Sequence, residues 1–410
     1  MGADWTRTSL GEVARLVSGG TPSKSEPSYW HGSTPWVSAK DMKRFRLFDT
    51  EDHVTDDGVA NGTRLVPPGT TLLLTRGMTL LKNVPICVVG RPMTFNQDVK
   101  ALLPRDGLVS NYLPYLLLGA RQKLLALVDL AGHGTGRLNT DELRQLPIAL
   151  PSPEEQRRIA AVLGAFDDKI ELNRRMSETL ENVARALFSE WFLGAQADGW
   201  PLVALGDFVL VTKGRSYRSA ELRPSTVALV TLKSFQRGGG YRDGGLKAYT
   251  GPFKPEQRVL PGEIIVAVTD VTQAADVIGR PAIVQAPEMF DTLVVSLDTV
   301  VVRPRHGDRH RAFIYYLLLT ESFTQHAVSH TTGTTVLHLK PAALLDYRFP
   351  KPADELLEAF HQLAGPLLRR QDQARAEIAT LVSLRDALLP KLISGEVRIP
   401  DAERIVSEVT

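Results

Sequence analysis

The chain has 410 residues with 48 Lys and Arg, 46 Asp and Glu, and a formal net charge of +2. The length predicts two to three domains. Its single cysteine, Cys87, excludes a disulfide framework and any cysteine-based zinc site, and favours a reducing cytoplasm. No apolar run reaches the roughly 18 residues of a membrane span, and no signal-peptide pattern opens the sequence. We therefore expect a cytoplasmic protein with no membrane-bound part.

The first part of the chain shows strand and turn patterns. Residues 10–24 predict a short helix or strand followed by a turn. Strand-like runs lie at Gly69–Leu74 and Pro85–Val89, and the second places Cys87 in a buried strand. Asn111–Leu130 predicts one leucine-rich helix, and a glycine-rich loop follows it at 132–139.

A long helix is predicted from Glu154 to Phe192. Its first turn follows two prolines and carries two glutamates, as helix starts prefer. Apolar residues recur in steps of four and three, which is typical of one continuous helical seam. They are Ile159, Leu163, Phe166, Ile170, Leu180, Ala184, Leu187 and Trp191. Polar Asn173 and Ser177 interrupt this seam. At 1.5 Å per residue the helix is roughly 58 Å long and needs a partner helix.

After a linker at 194–201 the sequence repeats itself. Four pairs of motifs carry the repeat: residues 10–24 with 205–219, 67–77 with 260–270, Gly90-Arg91-Pro92 with Gly279-Arg280-Pro281, and 134–153 with 333–352. A second long helix is predicted from Asp354, again with a polar middle near Arg369–Gln373. Its predicted seam is Leu356, Phe360, Leu363, Leu367, Ala374, Ile378, Leu381 and Leu388.

The repeat predicts an α+β fold with two similar globular α/β domains. Two long helices of similar length can bury their seams against each other, so we expect an antiparallel coiled coil and pseudo-two-fold symmetry. The predicted boundaries are 1–153, 154–193, 194–353 and 354–400.

Charge is distributed unevenly over these regions. Lys and Arg against Asp and Glu number 17 to 14 in 1–153, 18 to 14 in 193–353, 6 to 8 in 154–192, and 7 to 10 in 354–410. Mildly basic globular regions suit contact with a polyanion, and mildly acidic helices suit contact with other proteins.

Three stretches give the chain a close resemblance to the specificity (S) subunits of type I DNA restriction-modification systems. They are SGGTPSK with the following YWHGSTPWVSAKDM, the glycine-rich loop with LPIALPSPEEQRRIAAVLGAFDDKI, and LRDALLPKLISGEVRIP at 384–400. The resemblance implies a non-catalytic protein whose two target-recognition domains each read half of a split double-stranded DNA site. It further implies helices that set the spacing and dock methyltransferase (M) subunits, which restriction/translocase (R) subunits join. S-adenosylmethionine, ATP and Mg²⁺ are then expected only in those partners.

The second globular region departs from the first where Gly19-Gly20-Thr21-Pro22-Ser23 is replaced by Lys213-Gly214-Arg215-Ser216-Tyr217. This departure suggests two different half-sites.

Candidate DNA-binding residues combine basic side chains for phosphates with polar side chains for base edges. Arg76 is a candidate reader of guanine, with a counterpart near Asp270 and Thr272, and Gln97 is a candidate reader of adenine. The alternatives are that the lysines are only solvated and that Gln97 caps a turn. Trp30 and Trp36 could stack on bases or lie in the core. The full set is Thr21, Ser23, Lys24, Lys40, Lys43, Arg76, Gln97, His133, Arg137 and Asn139 in the first region. In the second it is Lys213, Arg215, Tyr217, Arg218, Lys233, His330, Thr332, Thr335 and His338.

On the first helix, the predicted partner-binding residues are Arg157, Arg158, Asn173, Arg174 and Arg175. The polar interruption near Asn173 could instead control the coiled-coil register or be a solvated break.

Two other functions remain open at this stage: a DNA methyltransferase or nuclease, and a structural scaffold. Amino-methyltransferases carry Asn or Asp before Pro-Pro and an aromatic residue after it, whereas the only Pro-Pro here, Pro67-Pro68, has neither neighbour. No acidic cluster suggests a metal site.

Overall fold

A computed structural model describes residues 5–131, 134–194, 197–271, 274–285, 289–305, 307–397 and 399–409. The chain divides into two compact units. Unit 1 comprises Met1–Leu172 and Ile378–Thr410, and unit 2 comprises Asn173–Glu377. Candidate His133 and position Thr272 lie outside the described residues.

The elements of unit 1 alternate short strands with short helices before the first long helix. In chain order they are β1 Thr6–Ser9, α1 Leu10–Val13, β2 Ala14–Ser18, β3 Trp30–Val37, β4 Arg46–Leu47, β5 His53–Val54, α2 Asp56–Gly62, β6 Thr71–Leu74, β7 Arg76–Gly77, β8 Ile86–Val89, β9 Thr94–Phe95, β10 Val99–Pro104, α3 Leu113–Gly119, α4 Arg121–Ala126, β11 Val128–Ala131, β12 Thr135–Leu138, α5 Thr140–Arg144, β13 Pro147–Leu150 and α6 Pro153–Phe192.

The strands of unit 1 form four sheets. Their orders are β2-β10-β6-β8-β4, β5-β3-β9, β11-β12-β7 and β1-β13. The third sheet continues directly from the first, because only Thr75 separates β6 from β7. The Thr75 N–H donates to the Asp98 carbonyl, and its carbonyl accepts from the Leu138 N–H.

Unit 2 contains the end of α6, a second set of strands and helices, and most of the second long helix. In chain order the new elements are β14 Leu202–Ala204, β15 Val209–Lys213, β16 Val227–Val230, β17 Lys247–Ala248, β18 Arg258–Val259, β19 Ile264–Ala267, β20 Thr269–Asp270, β21 Pro281–Ile283, β22 Thr292–Val295, β23 Thr299–Pro304, α7 Arg311–Leu318, α8 Glu321–Ser329, β24 Thr331–Thr332, β25 Leu337–Leu339, α9 Pro341–Leu345, β26 Arg348–Pro350 and α10 Asp354–Ile393; α11 Ile399–Val409 returns to unit 1.

The sheets of unit 2 repeat those of unit 1, which confirms the predicted duplication and the α+β class. Their orders are β15-β23-β19-β21, β17-β16-β22-β18, β20-β25-β24 and β14-β26. Val268, between β19 and β20, makes the same two backbone hydrogen bonds as Thr75. The equivalent pairs are Thr75 and Val268, Asp98 and Asp298, and Leu138 and Leu339.

These hydrogen bonds correct two details of the predicted repeat. Gly90 follows strand β8, whereas Gly279 precedes the equivalent strand β21, so the two Gly-Arg-Pro motifs are not counterparts. A position-by-position match of 134–153 with 333–352 pairs Leu138 with Leu337, but the structure pairs it with Leu339. The sequence alone does not reveal this shift of two residues, because positions 337 and 339 are both leucine.

The predicted single helix over Asn111–Leu130 is also wrong. The structure has α3, then α4, and then strand β11. Helix α3 ends at Gly119, where an added Cβ would lie 2.9 Å from Ile393 of α10. The leucine-rich end of the run pairs with β12 instead, because tertiary pairing overrides helix propensity.

The core of unit 1 includes both long helices. Ile159, Leu163 and Phe166 of α6 are buried in the same hydrophobic cluster as Leu72 and Leu102 of the first sheet, together with Leu381 and Leu388 of α10. The chain enters α6 through Ser152, whose carbonyl accepts from the Gln156 N–H. Cys87 is buried in β8 as predicted, and burial raises the pKa of its thiol to about 12, so the thiol stays protonated at neutral pH.

In unit 2 the two long helices run antiparallel, as predicted. Gln371 bonds to Ser177 and Glu181, while Phe360 contacts Phe188 farther along α6. Residue numbers therefore rise along one helix as they fall along the other.

The seam of α10 differs from the prediction by one residue in places. Leu357 and Ala364 are fully buried, whereas the predicted Leu363 is 48% exposed. Leu356 and Leu367 are partly buried beside the core. Adjacent leucines make the two faces hard to separate by pattern alone.

The polar middle of the helices is a buried layer and not a solvated break. Asn173 is 1% exposed and its amide donates to the Glu377 carboxylate at 2.9 Å. Gln371, also 1% exposed, donates to the Ser177 carbonyl and to Glu181, each at 3.2 Å. This arrangement fits the predicted role in register, because a buried polar group is satisfied in one register only.

Candidate nucleic-acid interface

The loop 19–25 of unit 1 is held against the globular core. An added Cβ at Gly19 would lie 2.0 Å from the Phe95 carbonyl oxygen, so only glycine permits this approach. Trp36 donates its indole N–H to the Gly20 carbonyl at 2.9 Å, and Trp30 donates to the Ser23 carbonyl at 3.1 Å. The two indoles pack edge to face. Both tryptophans therefore support the loop.

The loop places Thr21 beside Gln97. The Thr21 hydroxyl donates to the Gln97 side-chain oxygen at 2.5 Å, which leaves the amide N–H₂ of Gln97 free to donate. Lys100 donates to the Gln97 carbonyl and to the Ser18 hydroxyl. Sequence reasoning missed Lys100, whose pKa burial lowers.

Arg76 and Arg137 lie directly opposite each other in the sheet β11-β12-β7. Both are exposed, and neither forms an ion pair with any residue that the structure describes. On its other side Arg137 lies opposite Asp129 of β11, so this row of the sheet carries two basic side chains and one acidic one. A bound polyanion would offset the remaining repulsion between the two guanidinium groups.

Backbone contacts connect these residues into one feature. Thr75 bonds to Asp98 between antiparallel segments. Arg76 and Gln97 are therefore the next residues beyond this hydrogen bond, one on each segment. We call Thr21, Arg76, Gln97 and Arg137 the polar edge of unit 1. Four of the predicted DNA-binding residues, distant in sequence, thus meet in one place.

The remaining candidates of unit 1 fall into different settings. Asn139 caps helix α5 by accepting from the Asp141 N–H at 3.0 Å, which supports the alternative of a turn cap. Lys24 and Lys43 are exposed, and neither is ion-paired with a described residue. Ser23 bonds to Ser25 at 2.7 Å.

Lys40 already forms ion pairs within unit 1, which leads to a testable contrast with Lys43. Its ammonium lies 2.9 Å from Asp52 and 3.0 Å from Glu51, and these carboxylates raise its pKa. We expect Lys40→Ala to leave DNA affinity unchanged within about twofold, and Lys43→Ala to weaken it and lower the salt slope by about one. Fluorescence anisotropy across a salt series measures both, and a larger loss for Lys40→Ala would contradict the expectation.

Unit 2 places different side chains at the equivalent edge. Arg215 N–H donates to the Val295 carbonyl as Gly20 N–H donates to Phe95, which makes Ser216 the counterpart of Thr21. The structure also places Thr269 opposite His338, as Arg76 lies opposite Arg137. The counterpart of Arg76 is therefore Thr269. The equivalent edge of unit 2 is Ser216, Thr269, Leu297 and His338.

Other candidates in unit 2 have partners of their own. Tyr217 accepts from Lys247 at 3.0 Å, and its ring lies under the same ammonium. His330 bonds to the His326 carbonyl at 2.8 Å, and the Thr332 hydroxyl donates to the His338 carbonyl at 3.4 Å.

The remaining DNA-binding candidates of unit 2 are exposed or partly exposed. Arg215 is partly exposed, and a hydrogen bond to Tyr249 raises its pKa. The others are exposed: Lys213, Arg218, Lys233 and Thr335.

The predicted partner-binding residues differ in burial and in their contacts. Asn173 is buried inside unit 2, and Arg158 forms a two-pronged ion pair with Glu403 of α11 at 3.1 Å. Arg157 and Arg175 are exposed, and Arg174 is partly exposed.

Unit 1 contains a buried ion pair that the sequence analysis did not predict. Asp167 of α6 is 4% exposed and accepts from Arg385 of α10 at 2.5 Å and from the Tyr115 hydroxyl at 2.8 Å. Burial raises the pKa of Asp167 against the effect of Arg385. Helices α6 and α10 both have 40 residues, and counting from their first residues makes Leu368 and Ala184 the equivalent positions in unit 2, both buried.

Across the described residues no group of His, Cys, Asp or Glu could hold a metal ion. None of the described helices is long and apolar enough to cross a membrane.

The fold is thus a duplicated one, in which each unit carries an equivalent edge of different composition. Residues 2–182 match the family model of the type I restriction modification DNA specificity domain. The chain is 27% identical to the specificity subunit of type I restriction enzyme MjaIX from Methanocaldococcus jannaschii, over 97% of this chain and 94% of that protein. It is 34% identical to the EcoR124I/EcoR124II specificity subunit from Escherichia coli, over 38% of this chain and 40% of that protein.

The fold is similar to the crystal structure of a type I S subunit from M. genitalium, with a TM-score of 0.55 and 17% identity over 95% of this chain and 96% of that one. These matches confirm the resemblance to type I restriction-modification specificity subunits, which extends over almost the whole chain.

Proposed function

We propose that the chain binds a bipartite double-stranded DNA target, with one half-site for each unit. The observation that carries this proposal is that each unit has an edge at the same structural position, built from different side chains. Unit 1 offers two arginines, which suit guanine or phosphate, and Gln97, which suits adenine. Unit 2 offers an exposed leucine and His338 at equivalent positions. Two edges with different chemistry read two different sequences.

We further propose that M subunits dock on the exposed faces of α6 and α10 and that R subunits join that complex. Arg157 and Arg175, both exposed on α6, support this docking. S-adenosylmethionine, ATP and Mg²⁺ are assigned to those partners, and the complex to the cytoplasm. The purified chain alone is expected to transfer no methyl group from S-adenosylmethionine.

Selection from a random DNA library tests the proposed function. The chain, assembled with its methyltransferase partner, is expected to enrich a motif with two specified parts and an unspecified spacer. Binding should fall steeply as salt rises, because phosphate contacts release counterions. Recovery of no preferred sequence at physiological salt would favour a structural scaffold instead.

Arg76 provides a residue-level prediction. Arg76→Ala removes one exposed guanidinium from the polar edge and is expected to weaken binding roughly tenfold to 100-fold, with relaxed preference at one base of one half-site. Arg7→Ala is the matched control, because Arg7 is exposed but lies on the separate β1-β13 sheet. Equal losses for both variants, measured by anisotropy on the selected DNA, would show that Arg76 contributes charge alone.

A further inference from the structure

Each unit has an exposed aliphatic side chain at the same structural position. Met78 follows β7 and is 63% exposed, and Val271 follows β20 and is 68% exposed. Their equivalence follows from the strand pairing, in which Arg76 and Thr269 occupy matching places. The neighbouring side chains differ in chemistry between the units, yet this position is apolar and exposed in both.

Packing shows that neither side chain is exposed through lack of local order. In unit 1 the turn Met78–Leu81 buries Leu80 completely, and an added Cβ at Gly136 would lie 2.9 Å from the Leu80 Cβ. The turn is therefore fixed closely against β12.

In unit 2 a different contact serves the same purpose. Asp270, 1% exposed, accepts from the Val277 N–H at 2.7 Å and from the Ile278 N–H at 3.1 Å. The carboxylate ties Val277 and Ile278 to the end of β20. In both units a residue next to the exposed aliphatic position, Gly77 with its turn or Asp270, thus belongs to a well-packed part of the fold.

The surroundings of Met78 indicate what it contacts. It is next to the three-stranded antiparallel sheet that carries Arg76 and Arg137 against the single Asp129, so a polyanion is the complementary partner. The major groove of B-DNA presents the thymine 5-methyl as the apolar group of its base edges. An exposed aliphatic side chain beside two arginines suits that methyl group.

We propose that Met78 and Val271 each contact a thymine 5-methyl group in the half-site of their own unit. This inference rests on the proposed function, because it adds one specified base to each half-site that the units read. It makes both residues determinants of sequence specificity through apolar contact, without a hydrogen bond.

Uracil substitution tests the inference, because deoxyuridine lacks only the methyl group. The chain with its methyltransferase partner is bound to selected DNA in which each thymine is replaced in turn. We expect one position in each half-site where the replacement weakens binding roughly fourfold, the effect of losing one buried methyl group.

The two residues then serve as controls for each other. Met78→Ala should abolish uracil sensitivity in one half-site only, and Val271→Ala in the other only. Leu65→Ala, which truncates an aliphatic residue 50% exposed elsewhere in unit 1, should change neither. Sensitivity that is absent in the wild type, or unchanged in Met78→Ala and Val271→Ala, would overturn the inference while the selected motif upholds the proposed function. If no motif is selected, both are overturned.

Discussion

Arg385→Ala is expected to destabilise unit 1 by roughly 3 to 5 kcal/mol, the effect of removing one partner from a buried ion pair. Arg385 is the only cation hydrogen-bonded to Asp167 among the described residues, and Asp167 is 4% exposed. Removing the guanidinium leaves an unpaired carboxylate between α6 and α10. Hydrogen exchange on the full chain measures the loss, with amides of α3 in unit 1 compared with amides of α7 in unit 2. Equal protection of α3 in variant and wild type would contradict the expectation.

The loss in Arg385→Ala should depend on pH in a defined direction. Burial already raises the pKa of Asp167 above its unfolded value. Because its folded pKa is raised, ionisation of Asp167 lowers the free energy of unfolding. This loss of stability is absent below the unfolded pKa and complete above the folded pKa. Without Arg385 the folded pKa rises further, so the variant should recover stability as the pH falls from neutral toward the acidic range. A deficit that stays constant with pH would place its origin in lost packing.

Unit 2 supplies the matched control for this pair. The triple variant Asp167→Leu, Arg385→Ala and Tyr115→Phe copies Leu368 and Ala184 and removes the hydroxyl that would lose its partner. Replacing a buried ion pair by apolar side chains is often neutral or stabilising. We therefore expect the triple variant to be more stable than Arg385→Ala alone.

Lengthening both long helices is expected to change the DNA target itself. The α6 helix passes from unit 1 to unit 2 after Leu172, and α10 passes back after Glu377. Inserting one heptad at both points preserves the seam and leaves the contacts within each unit unchanged. Seven residues add roughly 10.5 Å, so the spacer between half-sites should grow by about three base pairs. Methylation mapping would then find the same two half-sites farther apart and the original sites unmodified.

Two controls separate this effect from damage to the fold. A heptad in α6 alone shifts one helix against the other and should abolish function. The same seven residues inserted after Gly194, outside both helices, should leave the spacer unchanged. An unchanged spacer in the double insertion would show that the helices do not set the distance.

The sequence predicted the duplication, the two long helices and their antiparallel pairing, because heptad-like spacing and repeated turns are local signals. It did not resolve which face of α10 is buried, since adjacent leucines such as Leu367 and Leu368 fit two seams. The strand β11 escaped prediction for a related reason. Its leucine-rich sequence suits a helix, and only pairing with β12 makes it a strand.

The candidate site was predictable by residue type and not by arrangement. Arginine and glutamine on turns suggested base contacts, but Arg76 lies opposite Arg137 only because two strands pair, and these residues are 61 positions apart in the sequence. The sequence analysis did not single out Asp167 or Gln371, yet both are buried and hydrogen-bonded. Their partners lie on the other long helix, roughly 200 residues away along the chain.

Methylome sequencing of cells that carry this chain with its methyltransferase partner, as wild type and as Arg76→Ala, tests the central claim most directly. The account predicts a wild-type motif of two specified parts separated by unspecified bases, and a variant motif that is relaxed in one part only. A single uninterrupted motif, or relaxation of both parts by Arg76→Ala, would contradict the assignment of one half-site to each unit.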